Sequence, residues 1–122
     1  MIITTTQQAF NLAAVHLMTQ KATAFGEHIS LCAYRGANGT KCAVGCLIPD
    51  EEYSKGFEEN TAKELLLHYG KELPSINQLD QDFLTDLQNI HDRESVDDWY
   101  ACLIVLAERY NLDTTEFKSE IE

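Results

Sequence analysis

Four cysteines and four histidines are the residues of this 122-residue chain best suited to bind a metal or attack an electrophile. His28-x3-Cys32 and Cys42-x3-Cys46 form two ligand-like pairs separated by a loop, and His91 offers a further nitrogen, so the candidate zinc set is His28, Cys32, Cys42, Cys46 and His91. Strand geometry restricts that reading. Residues four apart on an extended strand are separated by about 13 Å at ~3.3 Å per residue, whereas thiolates sharing a zinc at ~2.3 Å nearly touch. Zinc therefore requires the chain to break near Gly45 so that Cys42 and Cys46 meet around a turn. The competing reading makes these cysteines small apolar core residues, a role free cysteine often fills. A thiol nucleophile is the other chemistry on offer, with Lys41 and Arg35 lowering a thiol pKa and His28 as its base. Against it, neighbours on a strand point to opposite faces, so adjacency in sequence does not pair Cys42 with Lys41 in space.

Two further groupings carry less. The His91-Asp92 doublet, with His68 upstream and Asp97, Asp98 or Asp113 downstream, resembles the doublet of the metal-dependent phosphohydrolases named for it. The surrounding pattern of those enzymes is missing, and a histidine at a helix C-terminus ordinarily complements the helix dipole. Asp80, Asp82 and Asp86 share a helix face that could hold a divalent ion, but no spacing matches a calcium loop, and an i, i+4 acidic pair usually faces solvent. No glycine-rich loop opens a helix as a phosphate cradle does. The sequence therefore names no enzymatic activity.

The acids point to a partner instead. The net charge is −11, and residues 1–49 carry +2 from Lys21, Arg35 and Lys41 against Glu27, so the acidity belongs to residues 50–122. Such a surface repels nucleic-acid phosphates and attracts a basic protein surface. Asp50, Glu51, Glu52, Asp80, Asp82 and Asp86 are the candidate partner-binding residues. No apolar run approaches the ~20 residues of a membrane helix and no signal peptide is evident, so a cytosolic location with reduced thiols is expected.

These residues must be positioned by a single domain over 1–112 followed by an acidic tail, 113–122, in which Phe117 and Ile121 could dock. Residues 1–4 could add an edge strand. Thr5 and Gln8 have capping-box spacing before an apolar stripe, which predicts a helix over 6–22 with His16 off the stripe and solvated. Residues 29–35 and 40–47 have strand lengths and flank Asn38-Gly39, the strongest hairpin signal in the chain, with Tyr34 and Arg35 at the exposed tip. Gly45 within the second strand marks a bulge or a close approach. Pro49 opens a short helix stopped at Gly56. Thr61 and Glu64 cap a helix that buries Leu65, Leu66 and Leu67 and ends at Gly70, and an amphipathic helix runs from Ile76 to Asp92. Ser95 and Asp98 open the last main helix, whose inward stripe is Trp99, Cys102, Leu103, Leu106 and Tyr110 and which closes at Asn111. The fold class expected is α+β, mainly helical, with one β-hairpin packed on four to five helices.

The block YRGANGTKCAVGCLIPDEEY at 34–53, the element LQNIHD at 87–92 and Trp99 downstream resemble, in order and wording, a family of small phage and prophage proteins. The resemblance covers about half the chain. It implies phage ancestry and a place in the host bacterial cytosol, and it brings no catalytic residue with it. Together with the charge pattern it implies a non-enzymatic inhibitor or modulator of a host protein, one of antiviral defence among the candidates, whose basic surface normally holds nucleic acid. The alternative is a zinc-stapled or metal-dependent module, hydrolase or small-molecule binder, built on the cysteine cluster.

Overall fold

The computed structural model describes residues 5–24, 33–58 and 60–121. The edge strand expected at 1–4, the start of the first hairpin strand, and the candidate ligands His28 and Cys32 lie outside the described residues.

Helix α1 (Thr6–Gln20) starts at its capping box. Thr5 Oγ1 accepts from the Gln8 N–H at 3.1 Å, and Gln8 Oε1 accepts from the Thr5 N–H at 3.2 Å. Ala9, Phe10, Ala13, Ala14 and Leu17 form its buried face. Helix α2 (Ala62–Tyr69) repeats the device with Thr61 and Glu64. Of its three successive leucines only Leu65 is fully buried, and Leu67 is 74% exposed, because consecutive helical residues point about 100° apart and cannot share one face.

Helix α3 (Gln81–Arg93) begins five residues later than the apolar periodicity suggests. Asp80 is its N-cap and accepts from the N–H groups of Asp82 and Phe83, while Ile76 and Leu79 reach the core from the preceding turn. Helix α4 (Trp99–Arg109) follows a one-turn 3-10 helix capped by Ser95, and left-handed Asn111 (φ 56°) lies just past its end. The acidic tail contributes a fifth helix, α5 (Thr115–Ile121), whose fully buried Phe117 meets the rings of Phe10 and Tyr100, both at 5.7 Å. The Gln7 amide pins its entry, donating to the Asp113 carbonyl and accepting the Asp113 N–H, both at 2.8 Å. Helix α1 packs against α4 and α5, and α3 packs between α2 and α4, with the core between these layers. No helix among the described residues is long and apolar enough to cross a membrane.

The expected β-hairpin is absent, and the α+β class is corrected to an all-helical fold among the described residues. The turn itself forms. Asn38 (φ 59°) and Gly39 (φ 75°) both take the positive φ that a type I′ hairpin turn demands, and the Gly36 N–H donates to the Thr40 carbonyl at 2.8 Å. Beyond that bond the flanks separate, because side chains from elsewhere claim the backbone groups a ladder would need. Glu58 takes the N–H groups of Tyr34 and Arg35, Gln20 takes that of Lys41, and Gln88 takes that of Val44. Residues Gly45–Leu47 then turn as a 3-10 helix against α1. The short helix expected after Pro49 is likewise two separate 3-10 turns, Asp50–Glu52 and Lys55–Phe57, the second running through Gly56.

Candidate functional site

Arg35 and Glu58 are two of the charged residues that fasten the turns after Val44. The Arg35 guanidinium donates through Nη1 to the carbonyls of Gly45 (2.7 Å) and Tyr34 (3.2 Å), and through Nη2 to the Ile48 carbonyl (2.6 Å) and Asp50 Oδ1 (3.0 Å). Its Cζ also lies 4.7 Å from the centre of the Tyr53 ring. Glu58 answers from the other side. It accepts from the backbone of Tyr34 and Arg35 and from the Tyr53 hydroxyl. Tyr34 and Arg35 are therefore not an exposed tip: Tyr34 is 4% exposed with its hydroxyl on the Asn60 carbonyl, and the Arg35 side chain is 18% exposed. Gly45 is a close approach, as its position in the run suggested, for a Cβ there would stand 2.4 Å from the Tyr34 carbonyl oxygen.

The same folding brings the two distinctive sequence blocks together. Tyr34 and Cys42 from the first, and Gln88 and Asp92 from the second, share a cavity of about 290 Å³ with Asn60 and Asn89. Gln88 joins its walls, accepting the Val44 N–H at 3.0 Å and donating to Asp92 Oδ1 at 2.9 Å. The cavity's one thiol among the described residues, Cys42, is buried and accepts the Gly45 N–H at 3.3 Å.

Thiol chemistry is suppressed where it can be followed. Burial pushes the Cys42 thiol far above the ordinary range, and it pushes Cys46 up to about 12 even though Lys41 and Arg35 pull the other way. Cys102 is raised too, by burial and then by Glu94. The activation expected from Lys41 and Arg35 is thus real in sign and smaller than desolvation. His91 is fully buried with both ring nitrogens committed. Nε2 accepts the Ala24 N–H at 3.0 Å, so Nδ1 carries the proton and donates to Asp92 Oδ1 at 2.8 Å, and the ring stacks on Trp99. That is a positioning role, tying the chain after α1 to α3. Among the described residues no group of three His, Cys, Asp or Glu side chains could hold a metal.

His16 is half-buried, not solvated, and its Nε2 donates to the Lys41 carbonyl at 3.0 Å. Burial foremost, and the Lys41 charge after it, hold its pKa below the ordinary 6.5. The unfolded chain therefore takes up a proton that the folded chain refuses, and stability present above about pH 6.5 is lost as the pH falls below it. Melting temperatures measured from about pH 7.5 to about pH 5.5 should fall, and His16→Gln, whose amide still donates to Lys41, should flatten that slope.

The six candidate partner-binding acids divide into two kinds. Asp86 accepts from Arg109 (3.2 Å) and the Tyr110 hydroxyl (2.8 Å), and Glu52 accepts from both the N–H and the hydroxyl of Ser75, so these two hold the fold together. Asp50 pairs with Arg35 and Lys41 yet stays 82% exposed, Glu51 and Asp82 are exposed, and Asp80 is exposed while also capping α3. At the far end of α3 the exposed Glu94, Asp97 and Asp98 form a second acidic group that the sequence reading did not single out as a surface. Glu58 and Gln88 were also missed. The backbone N–H groups they accept lie 23 to 44 residues away, so no local spacing marks that role. Comparison with protein-family models, curated protein sequences and solved structures returned no match.

Proposed function

We propose that this chain is a non-enzymatic binding protein, a phage-type modulator of a host protein such as one of antiviral defence, that engages a basic protein surface through its acidic exterior. The observation that supports this reading is how the charges are used. Three cations, Arg35, Lys41 and Arg109, are tied to Asp50 or Asp86, while acids stand exposed at both ends of α3: Asp80 and Asp82 at one, Glu94, Asp97 and Asp98 at the other. A 13-residue helix separates the two groups by about 20 Å. Two such anionic poles steer a cationic partner at long range and fix its orientation on contact. Protonated thiols and a histidine held at both nitrogens support the non-enzymatic part of the reading.

The test is capture from host lysate on the immobilised chain, with elution by salt and identification of what is released. The Asp82→Lys/Asp97→Lys/Asp98→Lys variant, which leaves the Asp80 cap of α3 in place, should bind the same protein at least about tenfold more weakly. Retention undiminished by the three reversals would refute the electrostatic reading.

A further inference from the structure

We draw no further inference here: the strongest candidate, the cavity of about 290 Å³ between the start of α2 and α3, carries both Arg93 and Asp92 on its wall and leaves no buried polar side-chain atom among the described residues without a partner, so nothing in the structure says which ligand would fill it.

Discussion

Arg35→Ala is expected to lower the melting temperature by roughly 12 °C, about 3 kcal/mol in a chain of this size. The substitution removes the donor to the Ile48 carbonyl at 2.6 Å, on a buried residue, and one of the two donors to the Gly45 carbonyl, which keeps the Ile48 N–H at 3.2 Å. A buried acceptor left without a partner costs about 1–3 kcal/mol, which is more than a hydrogen bond contributes when present. The ion pair to Asp50 adds little, because the Asp50 carboxylate is 82% exposed. Arg35→Lys should recover less than half of the loss: an ammonium can satisfy one carbonyl well but cannot span both as the planar guanidinium does. Thermal melts of the two variants side by side separate a hydrogen-bonding role from a role of charge alone. Equal recovery by lysine would show that geometry is unimportant there.

Gly45→Ala should be of similar size, about 3 kcal/mol, by a different route. The added Cβ would meet three backbone atoms of Tyr34, its carbonyl oxygen at 2.4 Å, Cα at 2.9 Å and carbonyl carbon at 3.0 Å. Backbone cannot swing aside as a flexible side chain can, so either the turn Gly45–Leu47 or the Tyr34 segment must move. Moving the turn breaks the Arg35 contact with the Gly45 carbonyl, and moving Tyr34 strains its bonds to Glu58 and Asn60. The expected melt is displaced by about 10 °C or more. Because both substitutions attack one fastening, the double variant should lose less than the sum of the two singles. A Gly45→Ala protein as stable as the parent would mean that the two segments do not approach as closely as described.

What could be read from the sequence follows from how far apart the interacting residues lie. The capping boxes of α1 and α2 are satisfied within four residues, so spacing alone marks them, and both form. The turn at Asn38-Gly39 is equally local and also forms. The strands on either side of it were misread because their fate depends on Gln20, Glu58 and Gln88, whose side chains arrive from distant elements and take the donors a β-ladder would use. The position of Gly45 was legible as a close approach, while the identity of what approaches, Tyr34, was not. The cysteines illustrate the same limit. Charge neighbours in sequence pointed to activation, but burial is a property of the whole fold and it wins at Cys46. The acidic residues were readable as a group, yet Asp86, Glu52 and the helix cap Asp80 serve internal bonds, and only the folded chain distinguishes them from exposed Asp82.

The salt dependence of binding tests the proposed acidic-surface interaction most directly. Once a captured partner is in hand, its dissociation constant for the parent chain and for the Asp82→Lys/Asp97→Lys/Asp98→Lys variant should be measured across a series of sodium chloride concentrations. An electrostatic interface predicts affinity for the parent that falls steeply with salt, and a markedly shallower dependence for the variant. Affinity that is flat with salt in the parent, or curves that coincide for the two proteins, would contradict it.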